Sequence, residues 1–134
     1  MLHAFFAMFA GTYALTAFTT YLLVFTILKK KPVMIFGLAN HGLSVIFGIL
    51  AVLAGFGAER ISYIMVKAPA LFIFLHKWIA IFSALYLIGT FMYLWVKQED
   101  AGKLKGIAIA VTGLFFCLLT VFLGLDIIFD FVAR

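Results

Sequence analysis

From Ala4 to Leu28 the chain carries no charged side chain, and three further stretches repeat the pattern. Val33 to Ala58 holds one titratable side chain, His41, while Trp78 to Val96 and Ile107 to Leu125 hold no charge. About 20 consecutive apolar residues cross a hydrocarbon core roughly 30 Å thick. Inside that core no water is available to backbone N–H and C=O groups, so each span must satisfy them within a helix. The expected fold is therefore all-α. It is one domain over residues 1–134, an integral membrane bundle of four transmembrane helices at about 4–28, 33–58, 69–96 and 106–128.

Composition supports that class. Hydrophobic residues make up 67% of the chain and charged residues 11%, against about 45–50% and about 25% in soluble domains. Lipid tails are as apolar as Leu, so the hydrophobic effect does not press one helix against another. Many of the 17 Phe residues are then expected to face the lipid bilayer. The single cysteine, Cys117, lies inside the fourth span and can form no internal disulfide.

The net charge of +5 is not a nucleic-acid signal, because of where the charges lie. Lys29, Lys30 and Lys31 sit in one short loop, and Lys97, Lys103 and Lys105 flank another. Such clusters mark cytoplasmic loops. Arg60, Lys67 and Arg134 fall on the opposite side, with Lys77 near that boundary. The expected topology is N-out and C-out in a bacterial inner membrane. The first span has no basic residue ahead of it, so it reads as a retained helix rather than a cleaved signal peptide.

Two spans carry a narrow face of mostly small residues. Gly37, His41, Ser44, Gly48, Ala51 and Gly55 recur at alternating steps of four and three in the second, as do Gly106, Ala110, Gly113, Cys117, Thr120 and Gly124 in the fourth. Small residues let membrane helices approach closely. Within this pattern His41 stands out. It lies ten residues past Lys31, about 15 Å into the membrane at 1.5 Å per residue. An ionisable group at that depth is costly and is a functional hypothesis by default. A neutral imidazole there can ligate iron, bond a quinone carbonyl or relay a proton, and Gly37 and Gly48 would leave room for a flat ligand. The plainer reading is a histidine hydrogen-bonded to a neighbouring helix, with Thr19, Thr20, Tyr86 and Cys117 near its level. By the same count His76 falls at the outer interface, roughly 16 Å from His41 along the membrane normal. There it is expected to be hydrated, with Asp126 or Asp130 as partner. Lys77 and Asp126 share a depth and are expected to pair. His3 is expected to be solvated or folded back towards His76.

The segments Asn40-His41-Gly42 and Leu75-His76-Lys77-Trp78 loosely resemble the small b-type membrane cytochromes. The resemblance covers two helices. It implies haem b held between transmembrane helices by axial histidines, with His41 and His76 as the cofactor-binding and metal-ligating residues. The chain departs from the family's di-haem pattern, since no helix carries two histidines several turns apart. His41 and His76 are too far apart in depth for one iron, so a second ligand to a bound haem iron would come from another subunit or a symmetry mate. Other chemistries are excluded by what the spans lack: no interior Asp or Glu for carboxylate-coupled transport, no cysteine pair, and no HExxH metal motif. Two expectations remain. One is a subunit of a redox system that holds haem b or contacts quinone through His41. The other is a non-catalytic structural or assembly subunit packing on partner helices. A homo-oligomer or other membrane subunits are expected under both.

The topology is open to a direct check. With Cys117 replaced by Ser, single cysteines at Lys30 and Gly102 are expected to react with a membrane-impermeant maleimide from the cytoplasmic side only. Labelling from outside would invert the orientation.

Overall fold

A computed structural model of the chain describes residues 2–28, 30–58 and 70–126, without the side chains of Ala58, Glu99 and Asp126. Helix α1 (Leu2–Leu23) runs on into a π-helical turn (Val24–Leu28). It is followed by α2 (Lys31–Ala58) and α3 (Ala70–Lys97). A 3₁₀ turn (Gln98–Ala101) then leads into α4 (Lys103–Asp126). Among the described residues there are no strands, and all four helices are long and apolar enough to cross a membrane. The expected spans are each present within a few residues. The expected outer loop from Glu59 to Ala68, the helix start at Pro69 and the exit at Asp130 lie outside the described residues.

The lysine-rich end is built from short, locally determined connections. The Lys30 carbonyl accepts from the amides of Val33 (3.0 Å) and Met34 (3.1 Å), which starts α2. Pro32 falls in that first turn, where its missing N–H leaves no intrahelical bond unmade. At the other connection Gln98 takes φ 45° and Gly102 φ 80°. Left-handed backbone of this kind stops a helix, and Gly adopts it without Cβ strain. The Gly102 carbonyl then accepts from the Gly106 amide at 2.9 Å and opens α4.

The helices form an antiparallel ring, with α1 on α2, α2 on α3, α3 on α4, and α4 closing on α1. Both small-residue faces point inward. Gly37, His41, Ser44, Gly48 and Ala51 are buried on α2, and Gly106, Ala110, Gly113 and Cys117 on α4. They do not lie bare against one another. Aromatic rings from α1 fill the notches they create. A Cβ placed on Gly113 would fall inside the ring of Phe18, and one on Gly106 inside the ring of Phe25. The two rings are seven residues apart along α1 and its π-helical continuation, as the two glycines are on α4, so one antiparallel register satisfies both. Tyr21 fills the Gly37 notch in the same way, 2.8 Å from where a Cβ would sit. The large side chains left outside include Ile27, Leu71, Met92, Val96 and Leu104, as expected for a body wetted by lipid rather than water.

Three polar side chains on the inner faces find partners across the helices. Ser83 and Thr120 share a 2.9 Å hydroxyl bond between α3 and α4, and the Tyr86 hydroxyl donates to the Ile109 carbonyl at 2.9 Å. Cys117 sits 3.6 Å from the Gly11 carbonyl.

The ring-in-notch packing sets an expectation for Gly113→Ala. The added methyl must displace Phe18, which is 1% exposed. Overpacking of this kind costs about 1–3 kcal/mol. Thermal unfolding in detergent should register the loss. The double change with Phe18→Leu should lose less than the sum of the two single changes. Wild-type stability in Gly113→Ala would show that the ring does not occupy the notch.

Candidate functional site

His41 lies on the inner face of α2 and is fully buried. Phe18 approaches its ring edge-on at 5.1 Å between centroids, and Phe91 of α3 does so at 5.5 Å from another side. Its two nitrogens reach different helices. Nδ1 is 3.1 Å from the Tyr21 hydroxyl on α1, and Nε2 is a long 3.5 Å from Thr90 Oγ1 on α3. The Leu87 carbonyl lies beside the ring as a second acceptor.

The directions of these bonds follow from the neighbours. Thr90 donates its only hydroxyl proton to the Tyr86 carbonyl at 2.6 Å. Its oxygen can therefore only accept from His41, which places the imidazole proton on Nε2. Nδ1 then carries the lone pair, and Tyr21 donates to it. His41 is thus a neutral imidazole with both nitrogens engaged, linking α1 to α3 through α2. Ser44, one turn on, donates to the His41 carbonyl at 2.7 Å.

The space expected for a flat ligand beside His41 is filled. Tyr21 and Thr20 occupy the Gly37 notch, Leu87 lies over Gly48, Phe91 over Gly42, and Phe18 fills the recess at Gly113. Iron ligation at His41 would need the Tyr21 or Thr90 bond broken and a buried aromatic ring displaced. The residues around His41 as packed do not fit haem, and no step through a haem is derived for this site. Quinone contact meets the same obstacle, since His41 has no hydrogen-bonding nitrogen to spare.

The partners expected from depth alone need correction. Thr19 is exposed, Thr20 donates to the Thr16 carbonyl at 2.6 Å, and Tyr86 is spent on Ile109. Cys117 is directed to the Gly11 carbonyl at 3.6 Å. The actual partners, Tyr21 and Thr90, lie one residue from Thr20 and one turn from Tyr86. Depth along the normal locates them to within a turn, and the rotation of each helix decides the rest.

His76 and His41 do not come together. His41 meets α3 at Thr90, fourteen residues beyond His76, a rise of about 21 Å. The two cannot share one iron within a chain. His76 instead lies beside His3 of α1, with ring centroids 6.0 Å apart and planes at 84°. Of the two placements expected for His3, folding back towards His76 is the one adopted. Nδ1 of His76 is buried with no hydrogen-bond partner among the described residues, and the carboxylates of Asp126 and Asp130 expected beside it lie outside them. Nδ1 of His3 is 2.8 Å from the Ala51 carbonyl. Lys77 has its Nζ 5.1 Å from the centroid of Phe56. The expected Lys77–Asp126 pair rests on a carboxylate outside the described residues. Among those residues no group of three or more His, Cys, Asp or Glu converges as a metal site.

No protein-family model matches this sequence, and neither a curated protein nor a solved structure matches it.

The engaged state of His41 can be weighed by comparing two tyrosines. Tyr21→Phe leaves a buried imidazole nitrogen without a donor, which costs about 1–2 kcal/mol. Tyr86→Phe removes a bond to a carbonyl that the α4 helix already satisfies and is expected to cost less. Thermal melts in one detergent should rank them in that order. Equal melts would mean that Tyr21 does not serve His41.

Proposed function

We propose that this chain is a structural or assembly subunit of a membrane complex. It sits in a bacterial inner membrane with both termini outside the cytoplasm, and presents its outward faces to lipid and to partner helices or further copies of itself. One observation carries the reading. Both nitrogens of His41 and every glycine notch beside it are taken up by the chain's own side chains. An imidazole placed at mid-depth to bind a cofactor keeps one nitrogen and one face available; here His41 serves as a polar tie between three helices. Interhelical hydrogen bonds of this kind act as glue where no hydrophobic drive operates.

The redox reading, with haem b or quinone at His41, makes the opposite demand on the same atoms, so one set of measurements separates the two. The purified wild-type protein is expected to show no Soret band, oxidised or reduced. His41→Gln should still assemble but melt at lower temperature. In native membranes the chain should migrate as part of a larger complex. A Soret band with a reduced α-band, lost in His41→Gln, would overturn the proposal in favour of haem b. Quinone-linked activity lost in the same variant would overturn it in favour of a quinone contact.

A further inference from the structure

The geometry points to a copper(I) site formed by the imidazoles of His3 and His76 at the end of the bundle opposite the lysine-rich connections. This inference goes beyond the proposed function and does not rest on it.

The His3 Nδ1 atom lies 2.8 Å from the Ala51 carbonyl. A carbonyl can only accept, so Nδ1 carries the proton and Nε2 of His3 carries the lone pair. The Thr120 carbonyl lies beside the His76 ring as an acceptor, while Nδ1 of His76 has no partner among the described residues. With the His76 ring proton on Nε2, Nδ1 of His76 also carries a lone pair. His3 thus holds its N–H against a backbone carbonyl, and each of the two neighbouring imidazoles leaves one nitrogen as a lone-pair donor. Metal-ligating histidines are prepared in this way, because the second hydrogen bond fixes tautomer and ring orientation.

The spacing agrees. With metal–nitrogen bonds near 2.0 Å, two imidazoles on one ion in a roughly linear arrangement have centroids about 6 Å apart. The observed separation is 6.0 Å, with the rings nearly perpendicular. The backbone is also cut to hold them. A Cβ on Gly55 would come within 3.2 Å of the His3 ring, and one on Gly124 within 3.1 Å of the His76 ring. The last glycine of each small-residue face therefore seats one histidine. A buried nitrogen without a partner is costly, and a bound cation would remove that cost.

Two nitrogen donors select the ion. Zinc and calcium sites call for four or more ligands, and no third His, Cys, Asp or Glu converges here among the described residues. Imidazole suits copper, and copper(I), a closed-shell ion, is stable with two ligands in line.

The test uses the full-length protein in detergent, carrying an affinity tag without histidine and kept anaerobic and reduced. Copper(I) is supplied from a chromophoric chelator that competes for it. Wild-type protein is expected to withdraw one equivalent per chain. His3→Gln and His76→Gln should each weaken binding by at least about tenfold. His41→Gln and Cys117→Ser should leave it unchanged. Failure of the wild type to withdraw copper would overturn the site. So would full affinity in His76→Gln, or loss of binding in Cys117→Ser, which would place the ion on the terminal amine or the thiol. Should His76→Gln fail to fold by circular dichroism, His3→Gln decides the matter alone, and retained affinity there overturns the site.

Discussion

The ring of Phe18 touches all three of the other helices. It projects from α1, fills the Gly113 recess on α4, meets His41 of α2 edge-on and reaches Tyr86 of α3 at 6.3 Å between centroids. A large rigid ring in a glycine notch gains dispersion contacts on both faces, and in hydrocarbon such contacts replace the missing hydrophobic drive. The helix spacing, the register of α1 on α4 and the closure around His41 all follow from this one fit. Phe25 in the Gly106 notch repeats it two turns away and fixes the helix rotation.

That fit also decides what the centre of the bundle can do. A mid-membrane histidine invites a cofactor reading because burying a polar group without reason is expensive. Here the reason is internal. Tyr21 donates to one nitrogen, Thr90 accepts from the other, and the rings of Phe18 and Phe91 cover what remains. Polar satisfaction and tight packing have been met together, so His41 joins helices rather than holding a guest. The pair at the far end differs in kind. His3 is held to a backbone carbonyl on one side only, and Nδ1 of His76 has no partner among the described residues.

The four spans were legible in the sequence because hydropathy sums over twenty residues and tolerates error at any one of them. The inward faces of α2 and α4 were legible as well, since small residues at steps of four and three have one shared face and one physical use. What filled those faces was not. Phe18, Tyr21 and Phe25 look like the other aromatic residues of α1, and only the position of α4 separates the rings that enter notches from those that meet lipid. The partners of His41 failed by one residue on α1, because adjacent residues point about 100° apart and the choice between Thr20 and Tyr21 is a choice of rotation. A lysine bias between loops acts at a membrane surface and not in the packing, so it is read independently of all this.

The tightest helix pair in the bundle is α1 with α2, and these are also the first two helices synthesised. Their hairpin needs only a short connection, so it can close while the rest of the chain is still being made. Until α4 arrives, the face of Phe18 that will enter the Gly113 recess and the face of Phe25 that will enter the Gly106 recess have only lipid against them. The last helix therefore slots onto a template that the first has already laid down, and a chain stopped before residue 103 would leave two aromatic plugs without their sockets.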